Sequence, residues 1–272
     1  MTDKNSEPDI PLPFADRPIA TAPGHWVLAR AGKRVLRPGG AALSRTMLDH
    51  VGIAGADVVE LAPGMGRTAV EVMRRGPGSY TAIDRDPQAA RRVAAIVGDR
   101  GVCRRGEAAD TGLDDGCADA VIGEAMLTMQ GDRGKQAIVA EVSRVLRPGG
   151  RYAIHELGVV PDDIDEARCT RLRRDLARAI HVNARPMTAA AWRGLLEDAG
   201  LVVDWVGTAP MALLEPRRNL EDEGWSGVWR IVRNLAGDKE LRRRVRSMAT
   251  TFRAHEDVMC GIALVARRPQ SG

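Results

Sequence analysis

The chain has 272 residues, with 44% apolar and 28% charged residues, a net charge of +4 and a pI near 9.1. This composition excludes a disordered, collagen-like or coiled-coil chain, and no apolar run approaches the roughly 18 to 20 residues of a membrane helix. The four cysteines, Cys103, Cys117, Cys169 and Cys260, lack ligand or disulfide spacing, so no metal site is expected. The first 18 residues lack a basic start followed by an apolar run, so no signal peptide is expected and a cytoplasmic location is. Aromatic residues are scarce and the charge excess is mild, so nucleic acid is not an expected partner.

In chain order, residues 1–22 are polar and proline-rich and read as an extended or disordered arm. Residues 25–36 and 41–52 read as helices. VVELA at 58–62 is a buried strand, followed by a helix at 68–75, SYTAID at 79–84 as a strand, and a helix at 87–97. A short strand at 101–104, a buried strand within 118–126, a helix at 134–146 and RYAIHEL at 151–157 complete an alternating α/β pattern with a parallel sheet. Helices at 162–181 and 188–199 precede the strand LVVDWVGT at 201–208. About 50 residues separate it from a final strand at 259–267. That spacing predicts a helical insertion and an antiparallel pair at one sheet edge.

Two features carry a plain and a sharper reading. Leu241, Val245, Met248 and Phe252 make 239–253 an amphipathic helix with a basic face. That face is either simply solvated or meets an anionic substrate, partner or membrane surface. Trp225 and Trp229 share a helical face, as core packing or as a lid over substrate. The heptapeptide RVLRPGG occurs at 34–40 and 144–150 in unlike contexts and reads as two independent helix-stop turns.

The chemistry-bearing stretch is VVELAPGMGRTA at 58–69. Gly64 and Gly66 stand between a buried strand and a helix start, where missing side chains let backbone approach a ligand. Glu60 is an acid inside the strand. Asp84 ends the next strand, where a carboxylate can accept both hydroxyls of a ribose or else cap the helix before Pro87. A dinucleotide-binding oxidoreductase would use the same pieces.

These pieces, with GEAADTGLDDGCADAVIGEAM at 106–126 and RVLRPGGRYAIHEL at 144–157, resemble the class I S-adenosylmethionine (SAM) methyltransferases. The likeness is nearest to their ubiquinone/menaquinone-biosynthesis-like small-molecule branch. The family's acid-x-x-x-Gly-x-Gly motif is matched by Glu60, Gly64 and Gly66, its ribose acid by Asp84, and its Gly-Asp-Ala turn by Gly106-Glu107-Ala108. The resemblance implies a Rossmann-like, seven-stranded, mostly parallel sheet with N-terminal helices and a helical insertion before the last strand. It implies one domain over 23–272, with its core at 55–160 and helical cover from 23–52 and about 214–256. It implies a SAM site at Glu60, Ala62, Gly64, Gly66, Asp84, Arg85, Glu107, Ala108 and Glu124, with S-adenosylhomocysteine (SAH) as product.

The expected acceptor is a small, partly apolar molecule, methylated on O, N or C, and the arrangement admits a homodimer. His155 and Glu156 past the fifth strand, and His181 in the following loop, are the candidate catalytic groups. His25-Trp26 is a candidate cap over the pocket. An NAD(P)-dependent oxidoreductase is disfavoured, because neither Tyr80 nor Tyr152 has a lysine four residues on. A non-catalytic SAM-binding protein is the other alternative.

Overall fold

Apolar runs bounded by glycine, proline and aspartate become the strands of one sheet in a computed structural model of the chain. The structure describes residues 18–211, 214 and 216–270, with the side chains of 216–219 and 221 excepted. Most of the expected N-terminal arm therefore lies outside the described residues. The elements are α1 (Gly24–Arg30), α2 (Gly40–Val51), β1 (Asp57–Leu61), α3 (Arg67–Arg74), β2 (Ser79–Asp84), α4 (Pro87–Val97), β3 (Val102–Arg105), β4 (Ala118–Glu124) and α5 (Asp132–Val145). They continue with β5 (Leu146–Val159), α6 (Glu166–Ile180), β6 (Met187–Thr188), α7 (Ala189–Glu197), β7 (Val202–Pro210), α8 (Pro216–Gly237), α9 (Lys239–Ala254) and β8 (Met259–Arg267).

The sheet runs β3-β2-β1-β4-β5-β8-β7. β1 to β5 are mutually parallel, and β8 is antiparallel to both β5 and β7. The fold is the expected mostly parallel α/β sheet, with eight strands where seven were expected. The extra one is the two-residue β6, which pairs with Gly158 and Val159 because β5 runs past the sheet's usual edge.

Each face of the sheet is buried under helices, as continuous apolar strands require. Met47 of α2, Val72 of α3 and Val93 of α4 pack with Val58 and Ala82 on one face. Val139 of α5 and Trp192 of α7 pack with Val121 and Ile154 on the other. A separate cluster of Val27, Leu28, Ala179, Leu241 and Met248 joins α1, α6 and α9 into a cover.

Three expectations are corrected. The first helix stops at Arg30, not 36, because the amides of Arg34 and Val35 donate to the Glu223 carboxylate, at 2.7 and 2.8 Å, instead of to helix carbonyls. Trp225 and Trp229 are neither core nor lid: they are 78% and 69% exposed and line no part of the site described below. The second RVLRPGG is no simple turn. Leu146 pairs with Ala118 and Arg151 with Ala120, so Arg147–Gly150 bulges out of the ladder, held by exchange of backbone bonds with Arg268.

Candidate active site

The carboxyl ends of β1, β2 and β4 open into a cavity of about 670 Å³, closed on the far side by α1 and the segment after it. Volumes of this order hold small ligands and cofactors. Its floor is built by the loop after β1. Ala62 has φ +51°, Gly64 +53° and Gly66 +73°, so three alternate residues turn left-handed to lift the chain off the strand and into α3. At Gly64, which lines the cavity, an added Cβ would meet only the Ala62 carbonyl oxygen at 3.9 Å; the backbone is bare to whatever fills the space. At Gly66 an added Cβ would lie 2.5 Å from Ile96 Cδ1. Gly66 is therefore a packing glycine that lets α3 close on α4. It does not itself line the cavity, and its part in the expected cofactor loop is to let the loop turn and α3 pack.

Asp84, 6% exposed, ends β2. Its Oδ2 accepts from the Gly64 amide at 3.1 Å and its Oδ1 from the Asp86 amide at 2.9 Å. Burial raises its pKa, against the pull of these two bonds. The helix-cap reading of Asp84 fails, because Asp86 is the cap: its Oδ1 accepts from Gln88 and Ala89. Asp84 is thus fixed in orientation and turned to the cavity.

Two further carboxylates line the same wall with opposite electrostatics. Glu60 accepts a 2.6 Å bond from the Tyr80 hydroxyl, and burial pushes its pKa up to about 8, with Glu124 and Asp84 adding like charge. Glu124 accepts from Arg37 Nη1 at 3.0 Å, Ser44 Oγ at 2.5 Å and Thr68 Oγ1 at 2.9 Å. Burial works to raise this group too, but Arg37, His155 and Ser44 outweigh it and hold the carboxyl at about 2. An acid kept neutral thus sits beside an acid kept ionised, the difference being the number and charge of donors around each.

The other expected cofactor residues, Ala62, Arg85, Glu107 and Ala108, also line the cavity. The expected catalytic residues do not. His155 is fully buried on β5 behind Glu124: its Nε2–H donates to the Pro38 carbonyl, and Nδ1 lies 2.9 Å from Ser44 Oγ and 3.1 Å from Glu124 Oε2. Glu156 is fully buried on the opposite face, accepting from the Met126, Leu127 and Thr128 amides and the Thr128 hydroxyl. It fixes the loop after β4. His181 is a left-handed residue that ends α6, with Nε2 3.1 Å from Arg244 Nη1. All three are corrections with one reason: every side chain is already committed to neighbouring protein groups.

The titratable side chain that α1 does bring to the cavity is His25. It is half-buried beside Trp26, with ring centroids 4.8 Å apart. Burial, aided by the Arg85 charge, lowers its pKa to about 4, so the imidazole is neutral at pH 7. Trp26 packs with Met65 and Leu36, which ties α1 to the glycine loop. Arg37, Ser44 and Thr68 are site residues that sequence reading passed over. Arg37 lay inside a repeat read only as a turn, and its partner is 87 residues away.

The chain is similar to known proteins on three counts. Residues 59–154 match the model of a methyltransferase domain family. An uncharacterised protein of Haemophilus influenzae is 30% identical over 251 residues, covering 90% of this chain and 98% of the relative. A geranyl diphosphate C-methyltransferase of Streptomyces coelicolor, crystallised with Mg²⁺, geranyl diphosphate and SAH, superposes with a TM-score of 0.60 at 18% identity, over 84% of this chain and 78% of that one.

Residues 59–154 form a methyltransferase domain, and the chain around them has the α/β fold of SAM-dependent methyltransferases.

The fold alone does not decide the reaction. The [4+2]-cyclase SpnF superposes on this methyltransferase with a TM-score of 0.67 at 15% identity, over 96% of this chain and 99% of the cyclase. The residues present fit SAM on grounds internal to the site. The bare backbone at Gly64 leaves the room a Cβ would take, and the carboxylate of Asp84 is oriented toward the cavity to accept a diol. Apolar Ile83, Ala108 and Ile138 supply flat walls nearby. Among the described residues, no group of three His, Cys, Asp or Glu side chains is spaced to hold a metal ion.

Proposed function

We propose that this methyltransferase methylates a small, partly apolar molecule, and that Glu60, Ala62, Gly64, Asp84, Arg85, Glu107, Ala108 and Glu124 form its SAM site. When bound, SAM supplies a methyl group activated on a sulfonium cation. Asp84 accepts the ribose hydroxyls, while the Glu107-Ala108 turn flanks the base. Glu60 and Glu124 present one neutral and one ionised oxygen acceptor to the cationic end of the cofactor.

The observation that carries the acceptor class is the apolar part of the cavity lining outside the glycine loop and the strand-tip acids. Trp26, Leu36, Met126, Met129 and Val182 are apolar, and His25 is the neutral base among them. Such a lining suits an acceptor held by shape, with one proton to lose. Positioning an acceptor in line with the methyl is the main task, worth up to roughly 7–11 kcal/mol of barrier. The His25 imidazole lines the cavity uncharged at pH 7 and is the neutral base there that can accept a proton from the acceptor. His155 serves as a positioning residue: it and Ser44 hold Glu124, and through the Pro38 carbonyl it holds the Arg34–Arg37 segment against the cavity.

The test is methyl transfer from radiolabelled SAM into a cell extract separated into organic-soluble, water-soluble, protein and RNA fractions. Label in a small-molecule fraction, lost with His25→Ala while SAH affinity is kept, is the expected result. Label in protein or RNA overturns the acceptor class. SAH binding with no transfer in any fraction favours a binding protein.

A further inference from the structure

The outer faces of α8 and α9 form a surface that the methyl-transfer site does not use. Trp225, Trp229 and Val232 are 78%, 69% and 51% exposed and recur at steps of four and three, so they make one stripe on α8. The opposite face of that helix is fastened inward. Arg230 donates to the Gly32 carbonyl through Nε at 3.0 Å and Nη2 at 2.9 Å, and Asn234 donates to the Arg30 carbonyl at 3.3 Å. These bonds fix the rotation of α8 about its axis, and the tryptophans face away from the body as a result.

The neighbouring α9 is fastened in the same way. Arg244 donates to the Ala179 carbonyl at 3.0 Å and the Ala22 carbonyl at 3.2 Å, and Leu241 and Met248 are buried beside it. Arg243, Arg246 and Arg253 are left exposed on the other side. Both helices are latched to the same stretch, residues 22–32, so both outer faces look away from it.

Charge separates this surface from the rest of the molecule. Between 225 and 254 there are eight Arg or Lys and two Asp or Glu, whereas the whole chain carries an excess of only four. Of the eight, Arg230 and Arg244 face inward, and Arg233, Lys239, Arg243, Arg246 and Arg253 are exposed. The remainder of the chain is net acidic. The molecule therefore has a cationic pole, and its two most exposed tryptophans stand on it.

We propose that this α8–α9 face docks on an anionic lipid surface. Trp225, Trp229 and Val232 would lie at the boundary of headgroups and acyl chains, and the arginines against lipid phosphates. Tryptophan and arginine on one amphipathic surface suit that boundary, where a ring finds apolar and polar surroundings together. A second copy of the chain is a poorer occupant, since a two-fold pairing would set like charges face to face. A single-stranded nucleic acid is poorer too: it is gripped in a groove of stacking rings, whereas here Val232 and Ala236 continue the stripe on an outward helix face. Among the described residues no helix is long and apolar enough to cross a membrane, so the attachment is peripheral.

The test uses the full chain with vesicles of pure phosphatidylcholine and vesicles about one-third phosphatidylglycerol, an anionic content high enough to attract basic segments. Sedimentation with the anionic vesicles alone, weakened by salt and accompanied by a blue shift of tryptophan emission, is expected. The pair Trp225→Ala/Trp229→Ala should weaken partitioning at least about tenfold and abolish the blue shift, and Arg243→Glu/Arg246→Glu should weaken it by a similar factor. Both pairs are on exposed positions, and unchanged thermal midpoints and SAH affinity check that the fold is kept. No sedimentation at low salt, equal binding to both vesicle types, or binding indifferent to the tryptophans overturns the proposal. Tryptophan-dependent dimerisation, or tighter binding to oligouridine than to vesicles, overturns it in favour of those partners.

Discussion

The two halves of the cavity are assembled by different means. At the strand tips the contacts are short in sequence: Gly64 to Asp84 spans 20 residues, and Asp86 to Asp84 spans two. On the covering side they are long: Arg37 to Glu124 spans 87 residues, His155 to Pro38 spans 117, and Glu223 to Arg34 spans 189. The cofactor half is therefore built from contacts between neighbouring stretches of the chain. The covering half exists only when distant segments meet, and a buried network ties it to Glu124 at the tip of β4, a carboxylate that both halves share. The lesson is that the cofactor half can be weakened without unfolding anything, whereas the covering half cannot lose a charged member without destabilising the fold.

Removing a charge from the network is the harshest test of that contrast. Arg37→Met leaves Glu124 ionised and buried without its cation, and a loss of about 3–5 kcal/mol in unfolding free energy is expected in chemical denaturation. Asp84→Ala should leave the unfolding curve much closer to wild type. Its effect should fall on SAH affinity, by roughly 10- to 150-fold for each charge-assisted bond lost, read by titration calorimetry. If Asp84→Ala proved as destabilising as Arg37→Met, the division into two halves would not hold.

His155→Gln probes the network more gently. The variant can still donate a hydrogen bond, so a loss of about 1–2 kcal/mol is expected. Turnover should fall through a displaced acceptor wall, seen as a raised KM more than a lowered kcat. A dominant kcat effect would return His155 to the role of base.

A further test separates the two acids by pH. Glu60 is raised to about 8 from an unfolded value near 4.5, so the folded chain binds the extra proton between these values and stability falls as pH rises through them. Glu124 is depressed to about 2, so its contribution is fully present above 4.5 and is lost as pH falls toward 2. His25, depressed to about 4 from 6.5, likewise loses stability as pH falls from 6.5 to 4. Glu60→Gln should flatten the decline between pH 4.5 and 8 and leave the acid limb alone. Denaturation curves across that range check it, and an unchanged slope would mean that Glu60 ionises normally.

The same division explains what the sequence discloses. The strands, the glycine loop and Asp84 are legible because period, punctuation and spacing are local signals, and β8 is found to the residue at 259–267. The cavity residues Glu60, Ala62, Arg85, Glu107, Ala108 and Glu124 follow from the family resemblance and not from local spacing. The catalytic candidates misled because the end of a strand says where a side chain begins and not what already occupies it. His155 is spoken for by Pro38 and Glu124, and neither is near it in sequence. The early end of α1 was invisible for the same reason, since the acid that takes its next amides, Glu223, belongs to the insertion. The two tryptophans misled in the opposite direction: helical spacing identifies a face and leaves open whether anything covers it.

The most direct test of the central claim is thermal unfolding with SAH, and in parallel with NADH and NADPH. At about 100 times its dissociation constant a ligand stabilises by roughly 2.7 kcal/mol, a readily measured rise in midpoint. A rise with SAH alone, lost in Asp84→Ala and kept in His25→Ala, is the predicted result. A rise with a nicotinamide cofactor alone, or with SAH regardless of Asp84, would contradict the site described.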